Sequence, residues 1–155
     1  MLFRSPKAGQ SVLAINEVVS ENQAAAKDPQ GDFDDYIEIV NTSDSEIDLS
    51  GKYLTDSKKN PRKWKFPKGT KIAAGGRLVV WADEDGKAKE GLHANFKLAK
   101  GGETIQLIDS DNAGNSILDE VKFAKLGPDS AYRRLPDAKG DFSEGAATPG
   151  VANAK

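Results

Sequence analysis

Short apolar runs recur along the chain, separated by glycine, proline, asparagine, aspartate and serine. Most are rich in valine, isoleucine and aromatic residues, and several alternate apolar with polar positions, which is typical of β-strands. Ile37 and Ile39, for example, flank Glu38. The clearest runs are Val12–Val19, Tyr36–Val40, Lys52–Leu54, Trp64–Phe66, Leu78–Ala82, Thr104–Ile108, Ile117–Phe123 and Ala131–Arg134. No long window carries the apolar stripe of a helix.

This pattern predicts an all-β fold, an antiparallel β-sandwich or barrel of about eight to ten short strands. We place the domain at residues 11–150. Residues 1–10 are expected to be a linker or junction. Residues 151–155 end a stretch of small and polar residues and are expected to form a disordered C-terminal tail.

Composition excludes several kinds of site. The chain has 155 residues, a net charge of −2, one histidine and no cysteine. A disulfide scaffold, a thiolate nucleophile and a cysteine-based zinc or iron–sulfur site are therefore excluded, as is a multi-histidine metal centre. No apolar run approaches the roughly 18 residues of a membrane span, so we expect no membrane insertion. Residues 1–10 lack the apolar stretch of a signal peptide.

Catalytic chemistry has little support in the sequence. His93 is the single imidazole, and no Gly-x-Ser-x-Gly motif provides a serine nucleophile for it. We expect His93 to be a buried side chain that bonds a backbone group. Nothing assembles into a set of nucleophile, base and orienting residue, so we expect no enzyme.

The acidic loop, Asp28–Asp35, carries four aspartates: Asp28, Asp32, Asp34 and Asp35. Loop carboxylates can converge on a hard cation such as Ca²⁺, and Glu17 and Glu38 on adjacent predicted strands could join them. The alternative is a solvated loop in which each aspartate caps a turn. Calcium is the one possible cofactor that the sequence indicates.

A second acidic stretch, Asp109–Gly114 with Glu120, shares some positions with an EF-hand loop. Ala113 is unsuited to its position, and both flanking runs read as strands rather than helices. A hairpin connection is the simpler interpretation.

The strongest local charge lies in the basic strip, residues 58–71. It contains Lys58, Lys59, Arg62, Lys63, Lys65, Lys68 and Lys71, interleaved with Trp64 and Phe66. Such a strip could bind nucleic acid, an acidic polysaccharide or a partner protein. Alternatively, the aromatic residues enter the core and the lysines merely solvate an edge strand.

The order of motifs is more specific than any single motif. The succession is Ile15–Glu17, Asp35–Asn41, Leu49–Gly51, Tyr53–Asp56, Trp64–Pro67, Ile72–Gly76, Leu78–Trp81, His93–Leu98, Gly102–Glu103, Leu107–Asp109, Tyr132–Asp137 and Thr148–Gly150. It resembles the lamin tail domain in its free-standing bacterial form, over nearly the whole chain. The resemblance implies an immunoglobulin-like β-sandwich that serves as a non-catalytic module.

Expectations about function rest on this resemblance. Bacterial domains of this kind usually belong to larger secreted or cell-surface proteins, and nuclear lamins use theirs to bind proteins and chromatin. We therefore expect an interaction module that binds a protein or an extracellular polymer. Two alternatives stay open: a calcium-dependent surface or carbohydrate-binding module at the acidic loop, and polyanion or nucleic-acid binding at the basic strip.

Overall fold

The computed structural model describes residues 12–85 and 90–154, so the predicted linker at residues 1–10 lies outside the described residues. The described residues form twelve β-strands and a single turn of 3-10 helix at Asp111–Ala113. The strands are β1 (Leu13–Val19), β2 (Asp35–Asn41), β3 (Ile47–Asp48), β4 (Tyr53–Thr55), β5 (Trp64–Lys65), β6 (Lys71–Ile72), β7 (Arg77–Ala82), β8 (Leu92–Ala94), β9 (Gly102–Ile108), β10 (Ile117–Ala124), β11 (Ser130–Leu135) and β12 (Asp141–Ala146).

The strands build two main sheets. One has six strands in the order β12-β11-β1-β2-β7-β8, the other has four in the order β10-β9-β4-β5, and β3 pairs with β6 separately. Pairing is antiparallel except between β7 and β8, which run parallel. The predicted all-β antiparallel sandwich of immunoglobulin-like type is confirmed.

Alternating side chains of both sheets meet in one apolar core. Ile37 and Ile39 of β2 point into it, as do Ile105 and Leu107 of β9. Tyr36 and Glu38 consequently point to the opposite surface of the six-stranded sheet, which we call the outer face. Both residues are nevertheless fully buried, so something covers that face.

The cover is the C-terminal segment, residues 147–154, which follows β12. Within it Asn153 is only 7% exposed and donates its side-chain amide to the carbonyl of Arg134 at 3.0 Å. The structure therefore differs from the predicted disordered tail at residues 151–154. A small and polar composition conceals packing of this kind, because the segment is held by hydrogen bonds rather than by apolar burial.

All eight predicted strands are present, and four further strands were not predicted. Three of them, β3, β6 and β8, have only two or three residues. The fourth, β12, is polar and contains a glycine, yet it pairs with β11 along its whole length. Pairing with an existing strand stabilises such a sequence without an alternating apolar pattern.

Candidate binding sites

The acidic loop brings three of its four predicted carboxylates together. Asp28, Asp32 and Asp34 each place an oxygen within 4.8 Å of oxygens from the other two. Asp28 organises the loop, because its Oδ1 accepts the backbone N–H groups of Gln30 and Asp32, both at 2.9 Å. The turn-capping role and the converging carboxylates thus occur in the same loop.

Three other acids that we expected near this site point elsewhere. Asp35, the first residue of β2, accepts the backbone N–H of Leu98 at 3.1 Å. Glu17 and Glu38 are fully buried on the outer face of the six-stranded sheet. The structure does not bring these three carboxylates to the cluster, because each accepts hydrogen bonds that hold the fold elsewhere.

Two residues from the β7–β8 region complete the cluster and were not predicted. Asp28, Asp83 and His93 each place one ligand atom within 4.8 Å of the others. Nδ1 of His93 lies 2.7 Å from Oδ2 of Asp83, and Nε2 lies 2.9 Å from the carbonyl oxygen of Glu90. The bond to Glu90 confirms the expected buried imidazole bonded to a backbone group. Because a carbonyl oxygen only accepts, Nε2 carries a proton.

The cluster shifts pKa values in opposite directions. Burial, followed by hydrogen bonds with Asp28 and Asp83 and by their charges, raises the pKa of Asp34 to about 7. Burial alone would lower the pKa of His93, but the hydrogen bonds to Asp83 and Glu90 raise it above its usual value. Burial and the neighbouring carboxylates therefore favour a proton on Asp34, and the hydrogen bonds of His93 favour its protonated imidazole.

Which cation could bind here follows from the donor set. Both nitrogens of His93 are engaged, so the ring has no free lone pair to offer a transition metal. Asp28, Asp32 and Asp34 offer only carboxylate oxygens, which suit a hard cation such as Ca²⁺. A cation at this place has to compete with a proton for Asp34, whose pKa is about 7.

The second acidic stretch forms a hairpin connection between β9 and β10, as the simpler interpretation predicted. Asp109 pairs with Lys52 at 2.8 Å, and Asp111 pairs with Arg62 at 3.0 Å. Glu120 accepts the side-chain amide of Gln106 at 2.9 Å. Within the described residues, these acids do not converge on a common point as the ligands of an EF-hand do.

In the basic strip, the aromatic and basic side chains separate as the strand pattern predicts. The rings of Trp64 and Phe66 pack edge to face with centroids 4.8 Å apart, and both contact the core. Lys63 lies over the ring of Phe96 at 5.5 Å, and Lys65 lies over that of Tyr53 at 6.0 Å. The aromatic rings of the strip are therefore not a stacking platform for bases.

Four of the seven bases in the strip have acidic neighbours. The pairs are Lys58–Glu120 at 3.9 Å, Arg62–Asp111 at 3.0 Å, Lys63–Asp56 at 2.6 Å and Lys71–Glu46 at 4.0 Å. The remaining three, Lys59, Lys65 and Lys68, are exposed. The tertiary structure thus converts a continuous basic stretch into a surface of mixed sign.

A buried polar layer lies on the outer face, and the residue pattern gave no sign of it. Glu17 accepts the hydroxyl of Tyr36 at 2.6 Å and the backbone N–H of Thr148 at 2.9 Å. Glu38 accepts the side-chain amide of Asn16 at 3.1 Å and a guanidinium N–H of Arg77 at 3.3 Å. These paired carboxylates are occupied by the fold and are not free for acid–base chemistry.

Comparison with known proteins supports the resemblance that the order of motifs indicated. The family model for the lamin tail domain matches residues 6–125. The chain belongs to the lamin tail domain family. A search of curated proteins found no match. Among the described residues, no helix is long and apolar enough to cross a membrane.

Membership agrees with the chemistry of the site. Lamin tail domains are non-enzymatic immunoglobulin-like domains, which fits the expectation that this chain is not an enzyme. The match ends at residue 125, whereas the sheet continues through β11 and β12. In this lamin tail domain, β11 pairs with β1 inside the six-stranded sheet, so the residues beyond the match belong to the same folded unit.

Proposed function

We propose that this lamin tail domain is a non-catalytic module that binds a protein partner through the basic strip. One observation carries the proposal: the outer face of the six-stranded sheet is covered by the C-terminal segment, whereas the bases of the strip remain at the surface. The side chains of Lys59, Lys65 and Lys68 are exposed there and take no part in the apolar core.

The charge pattern favours a protein over a uniform polyanion. Ion pairs such as Arg62–Asp111 and Lys58–Glu120 place positive and negative charges side by side on this surface. Nucleic acids and acidic polysaccharides are recognised best by a surface of one sign, whereas protein interfaces match positive with negative groups. Polyanion binding therefore ranks below protein binding.

Display on the outside of a cell, as part of a larger secreted or surface protein, belongs to this proposal. It is supported by the resemblance to free-standing bacterial lamin tail domains. Fractionation of the source cells with an antibody against the domain tests it, because a cytoplasmic signal alone contradicts this location.

The binding test is capture with immobilised domain from the medium and envelope of the source cells. A strip variant carries glutamate at positions 59, 65 and 68, and a matched control carries glutamate at Lys97, Lys125 and Lys139, which are also exposed. We expect one defined protein to be retained by the wild type and the control and lost by the strip variant. Retention of the same protein by the strip variant would contradict the assignment.

A polyanion arm of the same experiment uses heparin and duplex DNA. If the strip binds them, affinity falls steeply with added salt, because counterions are released from the polyanion. Salt-sensitive binding that the strip variant loses would replace the protein partner by a polyanion.

A calcium-dependent surface or carbohydrate-binding module is the second candidate, favoured by the convergence of Asp28, Asp32 and Asp34. A ligand bound only by the native state raises stability, so millimolar Ca²⁺ should raise the Tm by several degrees over EDTA. Asp32→Asn removes an exposed ligand and should abolish that rise. An unchanged Tm in calcium would exclude this candidate and leave the strip proposal intact.

A further inference from the structure

The C-terminal segment, residues 147–154, lies on the outer face of the six-stranded sheet without extending it. Its residues belong to none of the twelve strands in the described part of the chain. It is therefore held by contacts other than a strand ladder, and those contacts define what this face recognises.

Three backbone N–H groups of the segment each reach a different carboxylate. Thr148 donates to Oε1 of Glu17 at 2.9 Å, and Gly150 donates to Oε2 of Glu38 at 2.7 Å. Asn153 donates to Oδ1 of Asp137 at 2.8 Å. These three bonds attach the backbone of the segment near both of its ends and at its centre.

Two arginines balance the carboxylates on this face. Arg77 bonds both Glu38 and Asp137. Arg133 donates to the carbonyl oxygens of Ala146 at 3.1 Å and Ala154 at 2.9 Å. Its Nη1 is buried and has no hydrogen-bond partner among the described residues. The face thus holds a donor that the segment does not use.

Recognition of the segment combines its backbone with two of its side chains. The hydroxyl of Thr148 donates to Glu17, and the buried amide of Asn153 donates to Asn16 of β1 and to Arg134 of β11. Gly150 adopts φ +80°, which favours glycine at the centre of the segment. The same segment of a second copy presents the same backbone N–H groups and the same two side chains around such a turn, and can make the same bonds.

We propose that the outer face is a peptide-binding groove, that residues 147–154 are its resident ligand, and that the same segment of a second copy of the chain can take its place. The proposal is independent of the basic strip, which lies outside this groove. It needs the resident segment to detach without unfolding of the sheet.

Hydrogen exchange of the full chain tests detachment. Because the segment lacks a ladder, we expect the amides of Thr148, Gly150 and Asn153 to exchange at least about tenfold faster than the β2 ladder amides, relative to their intrinsic rates. Low urea should accelerate exchange of the β2 amides but not of these three. Equal protection and equal urea dependence would show that the segment opens only with the whole domain, and would overturn the proposal.

Binding in trans is tested with a fluorescein-labelled peptide of residues 146–154. The receptor is full-length chain carrying Gly150→Pro, which removes the N–H that Glu38 accepts and cannot adopt φ +80°, so the resident segment is released. A matched receptor carries Val151→Ala, at an exposed position of the same segment. We expect the Gly150→Pro chain to bind the peptide about tenfold more tightly than the Val151→Ala chain, because less of its groove is occupied.

A modified peptide separates groove recognition from adhesion. N-methylglycine in place of Gly150 lacks the N–H for Glu38, and the buried carboxylate oxygen left without this donor should weaken binding about tenfold. Equal affinity of the two peptides, or no binding to the Gly150→Pro chain at millimolar peptide, overturns the proposal. If that chain does not fold, the exchange experiment on the wild type still decides.

Discussion

Two half-buried aspartates of this domain have opposite pKa shifts, and their surroundings explain why. Asp137, beneath the C-terminal segment, faces donors: hydrogen bonds from Arg77, Asn153 and Asn16 outweigh burial and lower its pKa. Asp34, in the acidic loop, faces the carboxylates of Asp28 and Asp83 and has a pKa of about 7. Burial acts in the same direction on both, so the neighbours decide the difference.

Asp137 belongs to a structural cluster, whereas Asp34 belongs to a titratable one. Under the C-terminal segment, Asp137 accepts a backbone N–H group and guanidinium N–H groups, and these donors favour its charged form while they fix the backbone. In the acidic loop, like charges meet, and a proton or a cation must compensate them. Donors thus give Asp137 a role in folding, whereas the neighbouring carboxylates make Asp34 responsive to pH or to a ligand.

The largest expected effect comes from removing a carboxylate of the structural cluster. Glu38→Ala leaves the N–H of Gly150, the amide of Asn16 and the guanidinium of Arg77 without this acceptor. We expect the free energy of unfolding to fall by about 3–5 kcal/mol in urea titrations. Glu46→Ala, at an exposed position, is the control and should stay within about 0.5 kcal/mol of wild type. A loss at position 38 no larger than the control would refute the structural role.

A smaller loss should follow from crowding Arg133 on the same face. A Cβ added at Gly145 would lie 2.1 Å from Nη2 of Arg133, whose guanidinium is held by two carbonyl bonds. Gly145→Ala should therefore cost about 1–3 kcal/mol of unfolding free energy. Gly101→Ala, where no atom lies within 4 Å of the added Cβ, is the matched control. Equal stability of the two variants would show that Arg133 moves aside freely.

The titratable cluster should make stability depend on pH through Asp34. Its ordinary pKa is 3.8 and its folded value about 7, so between these values the folded state binds more protons than the unfolded state. Stability from this group is full below pH 3.8 and is lost as the pH rises to about 7. Asp34→Asn should therefore become more stable than wild type over this range, by about 1 kcal/mol after solvent screening of a half-buried group.

The measurement is the unfolding free energy of both proteins from pH 4 to pH 8, in EDTA. Asp129→Asn provides a control, because the contribution of Asp129 to stability changes with pH in the opposite direction to that of Asp34. The backbone N–H groups of Ala24 and Gln23 lower the pKa of Asp129, so its stabilising effect is present above pH 3.8 and is lost as the pH falls. A difference between Asp34→Asn and wild type that does not change with pH contradicts the proton on Asp34.

The smallest effect concerns the imidazole of the cluster. The pKa of His93 is raised, so its contribution to stability is present below pH 6.5 and is lost as the pH rises through the folded value. As the single histidine, it gives one unambiguous NMR titration. We expect a midpoint above 6.5 in wild type and a lower midpoint in Asp83→Asn. A midpoint unaffected by that substitution would remove Asp83 as the cause.

The strands could be predicted from sequence wherever burial imposes a pattern. Ile37 and Ile39 alternate with Glu38 because one side of β2 enters the core, and such alternation is visible in a single sequence. β12 escaped prediction because its stability comes from pairing with β11 rather than from its own apolar residues. The acidic loop was found as a sequence cluster, but Asp83 and His93 were missed because they approach it from a different part of the chain.

The amino-acid sequence by itself determined the fold class, the family and the absence of cysteine chemistry, because these depend on local alternation, motif order and composition. Only the tertiary structure decided which charges are available. It paired four bases of the strip with acids, buried Glu17 and Glu38 under the C-terminal segment, and gathered Asp28, Asp83 and His93 at one place. The physical reason is that neighbours within a few ångströms decide whether a charged side chain is free to bind a ligand. Those neighbours are distant in the sequence.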